Sequence, residues 1–194
     1  MPSTLCVTKG QLARDARIEV PTFRAVAPGH AGDTASIRFT VHGDSTTQRA
    51  LDSGELRRQL GLKLRAENGC NLVYVMWRLD PKPKLEVSIK RNPGARTAAD
   101  CGADGYTKIK PLFSSPLPTL DDNNEHELRA EIVGDTLTAW IDRQIAWQGW
   151  LPPEAAELQG PAGVRSDNLS FDLTEMQIDS RTTAADPQCR HALD

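Results

Sequence analysis

The side chains with chemistry to offer are two tyrosines, four tryptophans and the arginines and lysines interspersed among them. An aromatic ring can stack on the C–H face of a sugar while cationic side chains hydrogen-bond its hydroxyls or acid groups. Tyr74, Tyr106, Trp140 and Trp150, with Arg65, Arg78 and Arg129, are the candidates for such a site. Lys63, Arg65, Tyr74, Arg78, Arg129 and Trp140 form the expected ligand-binding set. Cleavage of an acidic polysaccharide by elimination asks for more, namely a cation to neutralise the uronate and a Tyr or His to move protons. Tyr74 with Arg65, Arg78, Arg38 and His42 would supply these groups if their strands adjoin. Glycoside hydrolysis with retention needs two carboxyl groups about 5 Å apart. Glu131 and Asp135 straddle a turn, and Asp172 and Glu175 have opposite parity unless a bulge separates them. No catalytic residue is assigned, and the sequence leans away from an enzyme.

No metal site is expected from the ligand spacing. The four histidines are scattered, and the cysteines at 6, 70, 101 and 189 lack any Cys-x-x-Cys pair. The run Asp121-Asp122-Asn123-Asn124 has the oxygen ligands calcium prefers but not an EF-hand spacing. It reads as a turn, and calcium is the one cofactor left open. An even number of cysteines without metal spacing predicts two disulfides and hence an oxidising compartment. The alternative is four buried thiols in a cytoplasmic protein.

The elements that must position these residues are strands. Leu128, Ala130 and Ile132 alternate with Arg129 and Glu131, and Leu137, Ala139 and Ile141 alternate with Thr136, Thr138 and Trp140 around Gly134-Asp135. A two-residue turn there pairs Ile132 with Leu137, Ala130 with Ala139 and Leu128 with Ile141, and sets Arg129 against Trp140. Ile37, Phe39 and Val41 mark another strand. Leu60, Leu62 and Leu64 lead to Asn68-Gly69, a hairpin signal that faces Glu67 with Cys70, Arg65 with Leu72, Leu64 with Val73 and Lys63 with Tyr74. Leu62, Leu64, Val73, Val75 and Trp77 then share the core face. Lys63, Arg65, Leu72, Tyr74, Met76 and Arg78 share the other, an unusual mixture for a solvated sheet face, so it is either covered by a loop or used for binding. Residues 45–58 read as a helical turn or a long loop, and residues 91–104 as an irregular loop that Cys101 must hold down. The stretch from Pro111 to Pro118 blocks helix and central strand alike. A bulge near Thr174-Glu175 would bring Met176 and Ile178 to the side of Leu169, Phe171 and Leu173.

Residues 128–152 and 160–178, with the turn at 134–135 and the return motif Gly160-x-x-Gly163-Val164-Arg165-x-x-Asn168, resemble the C-terminal half of concanavalin A-like lectin/glucanase domains in their laminin G-like and keto-disaccharide-hydrolase-like branches. The resemblance covers about the last third of the chain. It implies an all-β, two-sheet antiparallel jelly-roll sandwich, and a noncatalytic carbohydrate-binding or adhesion module as its function. The alternatives are a polysaccharide-degrading enzyme on the same fold and a surface domain that docks a protein. Cys70 is expected to pair with Cys101 and Cys6 with Cys189; for the second bridge the resemblance implies that the first and last strands of such sandwiches lie side by side, so that it would clamp the two termini. Arg143 stands where the family carries Gly. A tight turn at Asp142-Arg143 would put Trp140 and Trp147 on one face, whereas a loop that takes in Gln144 turns Trp147 inward. The second arrangement is expected, because a non-glycine residue enters a primed turn only with strain.

The 194 residues suit one domain, with an irregular tail from about 181. Mean hydropathy is -0.46, and no apolar run reaches the roughly 18 residues that span a bilayer. The N-terminus lacks the charged start and apolar stretch of a signal peptide; the predicted disulfides lead to the expectation of a secreted or periplasmic protein, and removal of a leader is left open. The net charge of -3 conceals an asymmetry, because residues 57–91 carry nine bases against three acids and residues 119–194 fifteen acids against five bases. The expected partner is a polysaccharide or glycoconjugate, and the basic middle strands would suit an acidic one. With a pI near 5.8, nucleic acid is not expected.

Overall fold

Alternation builds the expected hairpin. In the computed structural model, which describes residues 5–29, 31–120 and 123–178, β10 (Glu125–Val133) and β11 (Thr136–Ile141) pair with Leu128 opposite Ile141, Ala130 opposite Ala139 and Ile132 opposite Leu137. All six side chains are buried, and Gly134 takes the φ of +63° that the turn demands.

Before it in the chain come β1 (Cys6–Lys9), β2 (Arg17–Ile18), β3 (Thr22–Val26), β4 (Thr34–Asp44), β5 (Arg58–Asn68), β6 (Asn71–Asp80) and β7 (Lys84–Lys90). A single helical turn, α1 (Ala98–Cys101), precedes β8 (Tyr106–Lys108) and β9 (Phe113–Ser114). After the hairpin come β12 (Gln144–Trp150), β13 (Gly163–Asp167) and β14 (Leu169–Ile178). Among the described residues these strands form two antiparallel seven-stranded sheets. One runs β1-β3-β13-β5-β6-β7-β8 and the other β2-β14-β4-β10-β11-β12-β9, which is the jelly-roll sandwich expected. One apolar core fills the space between them, where Phe39 meets Trp77 edge-on at 5.9 Å. Each such buried side chain contributes about 1.5–3 kcal/mol. No helix of the described residues is long and apolar enough to cross a membrane.

Two turns depart from expectation. Asp142 and Arg143 do form a two-residue turn, at φ +50° and +68°. The Asp142 carboxylate offsets the strain by accepting from the Glu127 N–H at 2.9 Å and meeting His126 Nδ1 at 2.8 Å. Trp147 nevertheless turns inward, because a bulge in β12 supplies the extra residue. Trp140 faces Ile145 but Ala139 faces Trp147, and Ala146 and Trp147 are buried in succession. The β5–β6 turn lies one residue later than Asn68-Gly69 would place it, with Asn68 opposite Asn71. A bulge at Arg65, φ +47°, then restores Leu64 to Val73 and Lys63 to Tyr74. The bulged donors bond elsewhere, Arg65 N to Gly32 O at 3.1 Å and Ala66 N to Pro161 O at 2.8 Å. A Cβ on Gly32 or Gly160 would fall within 2.5 Å of that backbone, so only glycine admits the approach.

The bulge at Thr174 forms as expected, and Met176 and Ile178 pack against the core. Residues 45–57 are a loop without helix. The proline-rich connector holds the two-residue edge strand β9. Cys70 and Cys101 are bonded, with Cα atoms 6.0 Å apart. The Cys6–Cys189 pair cannot be placed, because Cys189 lies outside the described residues, as do Asp121, Asp122 and the tail from 181. The expectation that the first and last strands adjoin needs correction. β1 pairs with β3 in one sheet, and β14 pairs with β2 and β4 in the other.

Candidate functional site

The site is built on the outward face of the sheet containing β6, from residues far apart in sequence. Cross-strand register sets Arg24 opposite Arg165, Arg165 opposite Gly61, Gly61 opposite Met76 and Met76 opposite Glu86. One row over, Thr22, Asp167 and Gln59 align, and in the other direction Lys63, Tyr74, Ser88 and Lys108. These strands floor a cavity of about 500 Å³. Leu72, Tyr74 and Met76 form a small apolar cluster with Cys6, Val26 and Ala66 in this face. The mixed face noted in the sequence is therefore partly self-covering and partly the floor of a cavity.

Loops raise the walls. One is residues 49–53 with Arg57, held by Asn168, which is fully buried at φ +58° between β13 and β14. Its Oδ1 accepts from Arg49 N at 2.7 Å, and its Nδ2 donates to Arg49 O and Arg57 O, each at 2.8 Å. The other wall is the turn at 98–103, tied to β6 by the Cys70–Cys101 bond. Asp100 Oδ2 accepts from Thr97 N and Oγ1, and Asn71 Nδ2 donates to Ala95 O at 2.9 Å.

Inside, Arg165 is the hub. Its Nε donates to Asp167 at 3.0 Å, its Nη1 to Tyr106 Oη at 3.4 Å, and its guanidinium lies 5.0 Å from the centre of the Tyr74 ring. Tyr74 and Tyr106 stack with centroids 6.1 Å apart, and Lys90 Nζ sits 4.9 Å over Tyr106 while donating to Gly102 O. Gln59 Nε2 donates to Asp167 at 2.7 Å. Because a carboxylate only accepts, this bond orients the amide, and Gln59 Oε1 is left buried without a partner. Arg24 Nε is likewise buried without a partner.

Charge in the cavity is lopsided. The strands bring Lys9, Arg24, Lys90, Lys108 and Arg165 and the loop brings Arg49 and Arg57, against Asp52, Glu86 and Asp167. Burial opposes the charge on Arg165, but Asp167 and the two tyrosines outweigh it and hold the guanidinium well above its ordinary pKa. Burial pushes the Tyr74 phenol up to about 12. Burial also raises Tyr106, yet Arg165 and Lys90 more than compensate and bring it below the ordinary range. Lys90 is lowered by burial and by repulsion from Arg165 and Arg24. Glu86 is lowered because Lys84, Lys108 and Arg57 together overcome its burial.

Of the residues singled out from sequence, Tyr74 and Tyr106 line this cavity. Lys63 neighbours Tyr74 on the same row but is buried and does not line it. Arg65 turns to Asp33 at 2.5 Å and Ala155 O at 2.8 Å, and Arg78 donates to Lys82 O at 3.1 Å. Arg129 lies 5.6 Å over Trp140 on the opposite sheet, where Trp150 is also exposed. The elimination set of Tyr74, Arg65, Arg78, Arg38 and His42 is not assembled. Its premise was that β4 adjoins β6, and β4 lies in the other sheet. There Arg38 pairs with Glu127 and Glu175, and His42 with Asp172. Arg17 and His42 hold the Asp172 carboxyl below its usual range, and Glu131 faces Arg129 at 3.3 Å. Among the described residues no three His, Cys, Asp or Glu side chains converge as metal ligands do. Sequence reasoning missed Arg24, Arg49, Gln59, Lys90, Arg165 and Asp167. The outward parity of Arg165 and Asp167 was readable, but their proximity to Arg24 and Gln59 depends on strand order.

No protein-family model and no curated protein matches the chain. Among solved structures it is similar to a carbohydrate-binding module, CBM66, from Bacillus subtilis, with a TM-score of 0.60 and 12% identity over 89% of this chain and 92% of that one. It is also similar to lactose- and MES-liganded congerin II, with a TM-score of 0.50 and 7% identity over 80% of this chain and 99% of the other. At these identities the likeness is one of fold alone, the two-sheet jelly-roll sandwich.

Proposed function

We propose that this chain is a noncatalytic carbohydrate-binding module, that the cavity over β3, β13, β5 and β6 is its glycan site, and that the glycan is acidic. One observation carries the reading. Arg24 and Arg165 stand directly opposite each other on paired strands, and among the described residues only Arg165 has an acid partner. Like charges so placed repel, and an acid group from a ligand would relieve them. Stacked tyrosines beside them offer rings to a sugar, and Gln59 offers an acceptor. The names of the two similar structures, a carbohydrate-binding module and a lactose-liganded protein, support the class. The Cys70–Cys101 bond suits an oxidising, extracytoplasmic setting.

Affinity electrophoresis through gels containing uronate-rich, sulfated and neutral polysaccharides tests the proposal. Retardation in acidic gels, lost in Arg24→Met, is expected. Equal mobility in every gel would refute it.

A second reading rests on Tyr106. A phenol held below its ordinary pKa beside a buried guanidinium is equipped to take the proton next to a uronate carboxylate. Incubation with polyuronates while following absorbance of the unsaturated product near 230 nm separates the two. A signal abolished in Tyr106→Phe favours the enzyme, and none favours the binding module.

A further inference from the structure

The floor and the wall of the cavity each carry a cation that has no acid partner among the described residues. Arg24 stands on β3 with its Nε buried and unpartnered. Arg49 stands on the loop, exposed at the rim, and among the described residues it makes no ion pair. Its neighbours differ in this respect. Arg57 pairs with Glu55 at 2.6 Å and Glu86 at 3.3 Å, and Arg165 with Asp167. Asp52, the acid on the same wall, makes no ion pair with Arg49. The backbone of Arg49 is nonetheless held. Asn168 grips both its N–H and its C=O, so the backbone beneath the guanidinium is tied to the sheet on which Arg24 stands.

We infer that the cavity holds two anionic subsites, Arg24 with Arg165 on the floor and Arg49 on the wall, and that its ligand is a glycan bearing acid groups on neighbouring sugar residues. This rests on the reading of the cavity as an acidic-glycan site and goes beyond it in the number of subsites. A single acid group seated against Arg24 leaves Arg49 unanswered. A buried cation on the floor and a second on a wall whose backbone is tied to that floor reward a ligand that presents two anions together, because the second contact then costs less further ordering. Carboxylate and sulfate share the chemistry that guanidinium recognises.

The test compares, by calorimetry, disaccharides with acid groups on both residues against disaccharides with one acidic and one neutral residue. Galacturonate, glucuronate, mannuronate and sulfated galactose probes separate the two kinds of acid. The wild-type protein is expected to bind the diacid at least about tenfold more tightly, a difference of about 1.4 kcal/mol. In Arg49→Ala that advantage should collapse to about twofold, the statistical benefit of carrying two acids. Circular dichroism confirms folding of this surface variant. Equal affinity for diacid and monoacid probes, or an advantage that survives R49A, overturns the two-subsite inference and leaves the acidic-glycan reading standing. Failure of every acidic probe to bind overturns that reading and the inference together.

Discussion

Replacing Arg24 with Met should make the protein more stable and less able to bind. In the free protein Arg24 sits directly across from Arg165, and like charges so paired cost about 0.2–1 kcal/mol. Its buried Nε has no partner, and a group in that state costs about 1–3 kcal/mol. Arg24 as a whole is only partly buried, so the lower end applies. Methionine keeps the aliphatic stem and removes both penalties. A gain of about 1 kcal/mol is expected, which for a chain of this size is a rise in Tm of about 2–4 °C. The same change removes a charge-assisted hydrogen bond to the ligand, worth about 1.5–3 kcal/mol, or roughly ten- to a hundredfold in Kd. Differential scanning fluorimetry and calorimetry with acidic oligosaccharides read the two effects on one sample. Adding sulfate should narrow the Tm gap, because the anion relieves the repulsion only in the wild type. A variant that is less stable, or that binds acidic ligands unchanged, would refute the argument that this pair is strained for the sake of an anion.

The remaining predictions concern what holds the site. Asn168→Ala deletes three hydrogen bonds from a buried amide, at about 1 kcal/mol each. A loss of about 2–4 kcal/mol in chemical denaturation, with faster hydrogen exchange at Arg49, is expected. The Cys70–Cys101 bond spans a separation of 31 residues, for which loop-closure entropy gives about 3–4 kcal/mol. The double Ala variant should lose that much stability and bind acidic glycan more weakly, since one wall of the cavity is released. The chain has two tyrosines, so a spectrophotometric titration can resolve both, Tyr106 ionising below the ordinary phenol range and Tyr74 at about 12. Because the folded state raises Tyr74, its contribution to stability is complete below the unfolded pKa of about 10 and disappears as pH climbs through about 12. Tyr106 has the opposite sign, contributing above the unfolded value and ceasing to do so as pH falls through its depressed folded one. A single step near 10 for both phenols would contradict this electrostatic picture.

How much of this was legible depended on how local the determinants are. The β10–β11 register followed from alternation and one glycine, and the Thr174 bulge from a change of parity. The Asp142-Arg143 turn was misjudged because its strain is offset by Asp142 reaching His126 and Glu127, partners sixteen and fifteen residues away. Trp147 faced inward as expected, by way of an unforeseen bulge at Ala146 that no local signal announces. The site was harder still. Tyr74 drew notice because it sits on a basic hairpin, yet Lys63, Arg65 and Arg78 beside it are buried or engaged elsewhere. The cations around it come from strands that start at residues 22 and 163. Alternation says which way Arg24 and Arg165 point, and it is silent on whether they meet.

That meeting has a consequence in time. β3 and β5 touch only through β13, and β2 and β4 only through β14. As the chain leaves the ribosome, four strands therefore wait with open edges until the last two arrive. Roughly a hundred residues separate β5 from β13, on the order of 10 s of synthesis at ~5–20 residues per second. Exposed strand edges invite pairing with other chains. Any provisional pairing of β3 with β5 formed in that interval would have to open again to admit β13.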